Sequence, residues 1–207
     1  MTRELAENGQ KKRLVVGISG ASGVAYGIRL LESLKDLRIE SHLVMSKAAE
    51  MTIAYETALK PKQVVAKADQ TYAIGDIGAP IASGTFKTLG MIVAPCSVRT
   101  MSEIATGVTT TLLSRAADVT LKERRPLILM VRETPLHLGH LRTMTALAEM
   151  GAIILPPVPA FYADPKTLSD IVDQMVARAL DFVGYDWPLA KRWGEDLAKG
   201  KRKPKRP

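Results

Sequence analysis

Three short stretches of this sequence combine residue types and spacings that could hold a phosphoryl ligand and move protons beside it. The first reads Gly17-Ile18-Ser19-Gly20-Ala21-Ser22-Gly23. Its glycines permit a tight turn and let backbone N–H groups approach an anion at a helix N-terminus. The spacing is G-x-x-G-x-x-G, with Ser19 where a dinucleotide fingerprint needs glycine, and Met45-Ser46-Lys47 offers no acidic residue for a ribose diol. NAD is therefore disfavoured. The simpler alternative is that these glycines only let strand and helix pack closely. The second stretch runs from Ala94 to Glu103, where Thr100 and Glu103 form a T-x-x-E capping box. That predicts a helix starting at about Met101 with Thr100 as N-cap, and with Ser97, Arg99 and Thr100 around its positive end. Two such turns side by side favour a mononucleotide such as FMN, although a capping box alone is common in helices that bind nothing.

The third stretch is Val131-Arg132-Glu133-Thr134-Pro135, a cation and a carboxylate directly after an apolar run. Thr134 as cap and Pro135 at the first helical position would set Arg132 and Glu133 at the strand end, where a mutual salt bridge is the plain alternative. Further along, Ile171, Met175, Arg178 and Phe182 share a helical stripe, which predicts a guanidinium on an apolar face. Asp181 at i+3 or snorkelling would satisfy it; failing those, a phosphate is the natural partner of a planar guanidinium. His137 and His140 lie on adjacent helical turns without a third ligand nearby, so no metal site is expected. Cys96 is read as a packed small residue.

The elements that must position these residues alternate along the chain. Apolar runs predict strands at Leu14–Ile18, Ser41–Met45, Met91–Ala94, Leu127–Val131 and Ala152–Leu155. Helical spacing predicts helices at Val24–Leu37, Ala48–Leu59, Met101–Ala117, Leu136–Met150 and Thr167–Val183. The class implied is α/β: a three-layer, doubly wound parallel sheet, in which ligands bind beyond the carboxyl ends of the strands. Lys60 to Leu89 is the least regular part.

At 207 residues with 46% apolar and 24% charged content, the chain suits one domain. No stretch reaches the run of about 18 apolar residues that a membrane helix requires, and Met1–Arg13 lacks a signal peptide's apolar core. One cysteine makes an internal disulfide impossible, so a cytoplasmic setting is expected. The net charge of +8 invites a nucleic-acid reading, but its location argues otherwise. Lys191–Pro207 carries eight basic residues against two acidic, Met1–Arg13 four against two, and the body between them seventeen of each. The basicity belongs to the ends, so no nucleic-acid partner is expected. The expected organisation is a flexible segment 1–13, a domain 14–194 and a basic tail 195–207.

The motifs together resemble one family. Val16–Gly23 (VGISGASG), Ser46-Lys47-Ala48-Ala49, Ala94–Thr100 (APCSVRT), Arg115-Ala116-Ala117-Asp118, Leu121–Leu127 (LKERRPL), Val131–His140 (VRETPLHLGH) and Pro157–Tyr162 (PVPAFY) closely resemble the UbiX/Pad-type flavin prenyltransferases. The resemblance spans Leu14 to Gly194. It implies a flavodoxin-like Rossmann fold, and an enzyme that joins a dimethylallyl group from dimethylallyl monophosphate to N5 and C6 of reduced FMN, without metal. Prenylated FMN would then serve a UbiD-type decarboxylase, and the enzyme would assemble as a dodecamer. By motif, Gly20, Ala21, Ser22, Ser46, Ser97, Val98, Arg99, Thr100 and Arg132 would contact FMN. Tyr162, Arg178, Lys122 and Arg115 would hold the prenyl phosphate, Lys122 also stabilising charge in catalysis, and Glu133 and Glu56 would be the acid/base carboxylates. Two positions depart from the family: Arg99 where Lys is frequent, and Ile77 where some members carry Trp. An FMN-dependent decarboxylase of the phosphopantothenoylcysteine type is disfavoured, because Ala79–Leu89 lacks that family's His. A flavin-binding subunit without catalysis is the remaining alternative.

Overall fold

The computed structural model describes residues 11–194; the N-terminal decapeptide and the basic tail 195–207 lie outside the described residues. Strand β1 (Arg13–Ile18) leads into α1 (Val24–Asp36), β2 (Glu40–Met45) and α2 (Lys47–Glu56). Then come α3 (Pro61–Val65), β3 (Gln70–Tyr72), β4 (Met91–Cys96), α4 (Val98–Ala105) and α5 (Leu112–Lys122). The chain finishes with β5 (Leu127–Val131), α6 (Leu138–Glu149), β6 (Ile153–Ile154) and α7 (Leu168–Asp181). All strands are parallel in the order β3-β2-β1-β4-β5-β6. The chain thus reverses its winding between β1 and β4, and the crevice opens there.

The apolar runs explain the sheet. Every residue of β4 and β5 is buried, as central strands covered on both faces must be. Along β1 the side chains alternate: Leu14, Val16 and Ile18 enter the layer with α1 and α7, while Val15 joins Met91, Val93, α4 and α5 on the other side. Gly27 lets α1 lie close on the sheet, since a Cβ there would stand 2.3 Å from the Ala94 carbonyl oxygen.

Four expectations are corrected. The helix expected over Met101–Ala117 is two helices, interrupted where Gly107 takes φ 68° and Thr111 starts α5 with a capping box to Ser114. Thr100 is not a cap: Ser97, three residues earlier, accepts the Thr100 N–H, and α4 begins at Val98. Thr134 and Pro135 do not open α6; they share a cis peptide bond, and His137 caps the helix through Nδ1, which accepts from Gly139 N. The irregular stretch also holds a helix and an edge strand, α3 and β3, too short for periodicity to reveal.

Candidate active site

The crevice is built where β1 and β4 end. Ser19, directly after β1, is fully buried. Its hydroxyl donates to the Pro95 carbonyl at 2.8 Å and accepts from Ser97 N at 2.7 Å, which ties the glycine turn to the start of α4. Ser97 Oγ in turn accepts from Thr100 N at 3.3 Å. The first-turn N–H groups of Val98 and Arg99 have no acceptor among the described residues. They are donors that a helix leaves for a ligand. Gly20 fits against Ala48, where a Cβ would lie 2.3 Å from the alanine's own, so the turn and α2 meet without a side chain between them. Ser46 caps α2 by accepting from Ala49 N at 3.1 Å and anchors its own N–H on Ile18 O.

The glycine turn differs from its expected use. The amino end of α1 is already occupied: Glu56, at the last position of α2, accepts from Gly23 N at 2.8 Å and from Val24 N at 3.1 Å. Burial pushes the Glu56 carboxyl up, but the Ser22 hydroxyl, these two N–H groups and the Arg132 cation outweigh it and hold its pKa below the ordinary value. Glu56 is therefore a carboxylate at neutral pH and fills the amino end of α1, while the N–H groups of Gly20, Ala21 and Ser22 before it, like those of Val98 and Arg99 on α4, have no acceptor among the described residues.

Arg132 follows β5, with its N–H on Cys96 O at 3.1 Å. It forms no ion pair among the described residues, so the Arg132–Glu133 bridge is not made. Its charge acts on Glu56 and also on Tyr26, whose phenol burial pushes up and Arg132 pulls down. Glu133 is exposed, with Oε1 accepting from Thr134 N at 3.0 Å. The Arg99 side chain is 83% exposed and pairs with Glu103 at 3.0 Å, so what Arg99 offers the crevice is its N–H.

The residues expected around the prenyl phosphate have other partners in the protomer. Arg178 is not the buried cation that its stripe implied: it is 56% exposed, bonded to Asp181 at 3.0 Å, because α7 turns Val172, Met175, Val176, Ala179 and Leu180 inward instead. Arg192 shares the same Asp181, and the following Trp193 meets the exposed Tyr162 edge-on at 5.3 Å, so Tyr162 and Arg178 lie along one surface. Arg115 pairs with Asp118 at 2.7 Å. Lys122 ends α5 and pairs with Glu123 at 2.7 Å. The neighbouring Arg125 donates to Gly84 and Phe86 carbonyls on the chain entering β4, which puts Lys122 at the amino edge of the sheet. That is a strand's length, about 20 Å, from Ser97.

Sequence reasoning missed two contributors, Tyr26 and the bonding role of Ser19. A serine directly after a fully apolar strand was the available signal, read there only as a missing glycine. Cys96 is packed as expected: burial pushes its thiol up to about 12, which leaves no thiolate for chemistry. Among the described residues no group of three or more His, Cys, Asp or Glu is placed to hold a metal ion, and no helix is long and apolar enough to cross a membrane.

Comparison with known proteins gives a consistent result. Residues 2–180 match the family model described as Flavoprotein. The flavin prenyltransferase UbiX of Escherichia coli (strain K12) is 57% identical over 185 residues, covering 88% of this chain and 98% of the relative. The crystal structure of AnUbiX (PadA1) in complex with FMN and dimethylallyl pyrophosphate superposes with a TM-score of 0.88 at 48% identity, over 89% of this chain and 98% of that one. A dodecameric FMN-dependent UbiX-like decarboxylase from Escherichia coli O157:H7 superposes at 0.85 with 48% identity, over 87% and 98% of the two chains.

Proposed function

The chain belongs to the UbiX family of flavin prenyltransferases, and from that premise we propose how its residues divide the reaction. It is an FMN-using transferase. The donor is a dimethylallyl phosphate, taken here as the monophosphate, and the new bonds go to N5 and C6 of the flavin. The observation that carries the reading is a guanidinium that forms no ion pair among the described residues, Arg132, together with the open N–H groups of Val98 and Arg99 on the α4 turn. A cation and two oriented donors at a helix N-terminus suit a phosphate monoester. FMN fits this set: Ser97 to Thr100 and Arg132 take its phosphate end, and Gly20, Ala21, Ser22 and Ser46 line the adjoining turns.

Reduced flavin supplies the electron pairs of both new bonds. What the protein must add is position, charge stabilisation and proton transfer. The C–O bond of the donor breaks with its electron pair on phosphate, and Arg178, Tyr162, Lys122 and Arg115 stabilise that charge. N5 and C6 each lose a proton as their bonds form, while the alkene carbon between the two bonding carbons gains one. Glu56, held ionised by Ser22, Gly23, Val24 and Arg132, carries no proton at neutral pH and is thus in the state an acceptor needs, while the same contacts make it a weak base. Glu133, exposed and next to Arg132 in sequence, suits the transfer to or from carbon.

Within one protomer the four residues assigned to the donor pair with Asp118, Glu123, Asp181 and Trp193 rather than with residues of the crevice, and we read the site as completed by neighbouring copies. α6 buries Leu147 as its one fully buried residue while exposing Leu138, Leu141 and, at its end, Met150; Val158, Phe161 and Leu168, between β6 and the start of α7, are exposed as well. Exposed large apolar side chains in this number suit an interface, and a 48% identical neighbour is described as dodecameric. On this reading Tyr162, Arg178 and Lys122 of adjoining copies meet the crevice of each protomer. The product would pass to a UbiD-type decarboxylase, and the reaction would run in the cytosol, where Cys96 stays a thiol.

The reading is tested by mixing the protein anaerobically with reduced FMN and dimethylallyl monophosphate and following inorganic phosphate. Release in a one-to-one ratio with flavin consumed is expected. Flavin bound without phosphate release would reduce the protein to a flavin carrier.

A further inference from the structure

We infer that Ser19 is a positioning residue for the flavin: its buried hydroxyl fixes the Ser97 turn so that the next two N–H groups can grip the flavin phosphate. The inference rests on the reading of Ser97–Thr100 as the phosphate cradle. Ser19 is 0% exposed, so it cannot itself touch a ligand. Its hydroxyl and its backbone N–H both go to one segment. Oγ donates to Pro95 O at 2.8 Å and accepts from Ser97 N at 2.7 Å, while Ser19 N donates to the same Pro95 carbonyl at 3.2 Å.

The consequence lies in which donor is used. Ser97 N is the first N–H at the α4 end, and Ser19 takes it. Ser97 Oγ is in turn engaged by Thr100, accepting from its N–H and meeting its hydroxyl oxygen at 3.2 Å. With both ends of Ser97 held, the peptide planes that carry the Val98 and Arg99 N–H groups have little freedom before a ligand arrives. Binding then need not pay for ordering them. Ser19 also sits one residue before Gly20, whose contact with Ala48 sets the opposite wall. One hydroxyl therefore registers the glycine turn, the end of β4 and the α4 N-terminus against one another.

A purely structural serine would affect stability and nothing else, so the test reads ligand discrimination. FMN and riboflavin share the ring system and differ by the phosphate. Flavin fluorescence titrations on the full-length protein should show that the wild type prefers FMN, and that Ser19→Ala narrows the FMN-to-riboflavin preference about tenfold, the equivalent of one net hydrogen bond. Riboflavin affinity should hold, and Ser19→Thr should restore the preference. Should Ser19→Ala not fold, Ser19→Cys keeps the volume while weakening both bonds, and the same narrowing is expected. An unchanged ratio, or equal loss of both flavins, overturns the inference, whatever happens to melting temperature. A wild type without preference for FMN overturns the phosphate-cradle reading itself, and the inference with it.

Discussion

The Glu56 carboxylate closes the helix that Gly23 opens, with Oε2 of Glu56 2.8 Å from Gly23 N across 33 residues of sequence. A side chain from the end of α2 thus does at α1 what a bound anion would otherwise do. This contact is why the phosphate is assigned to α4, although the glycine-rich turn is the more conspicuous feature of the sequence. It also ties the carboxylate proposed as proton acceptor to the backbone of the crevice, so that gaining a proton on Glu56 weakens two helix-end hydrogen bonds.

Glu56→Gln should therefore be both slower in turnover and less stable, and the two effects separate by pH. The folded pKa of Glu56 lies below the unfolded value, so its stabilisation is present above the ordinary carboxylate range and is lost as pH falls through the folded pKa. At pH 7 the variant should lose about 1 kcal/mol, typical of a partly exposed helix-end contact. Thermal unfolding at pH 7 and near pH 3 checks this: the gap between wild type and variant should shrink in acid. A constant gap would mean that the charge of Glu56 does not matter to α1.

Donor binding and proton transfer should respond to different residues. Arg178→Ala should raise the KM for dimethylallyl monophosphate by about tenfold to a hundredfold, as for loss of a charge-assisted hydrogen bond, with FMN affinity unchanged. Glu133→Gln should leave both ligands bound and lower kcat by roughly 10²-fold or more, as for loss of a general acid or base. Steady-state kinetics with separate flavin titrations make the comparison. An Arg178 variant that loses FMN and keeps donor affinity would place it in the wrong site.

Assembly should be inseparable from donor binding. Leu138→Asp with Leu141→Asp places two charges on the exposed face of α6. Light scattering should show a smaller particle, and the dissociated form should still bind FMN while failing to turn over. A fully active monomer would show that Lys122 and Arg178 are not needed from a neighbour.

The sheet was legible because strands buried on both faces need continuous apolar runs, and Leu14–Ile18, Met91–Ala94 and Leu127–Val131 announce themselves that way. Helix ends were less so. Ser97 and Thr100 are both good caps three residues apart, and only the bond from Ser19 to Ser97 N explains why the chain turns at the first of them. Arg178 meets Asp181, the i+3 partner its spacing offered, and stands exposed because a stripe of Ile171, Met175 and Phe182 can sit at the margin of the buried face as well as its centre. The contact between Glu56 and Gly23 depends on two segments meeting in space, and no local pattern carries it. Nor does the chain's own periodicity say that Lys122 stands at the opposite edge from the crevice.

The most direct measurement is the mass of the flavin itself. After anaerobic incubation of the protein with reduced FMN and dimethylallyl monophosphate, the flavin extracted should be heavier by one C5H8 unit, and Glu133→Gln should yield little of it. Recovery of unaltered FMN from the wild type, with donor intact, would contradict the account.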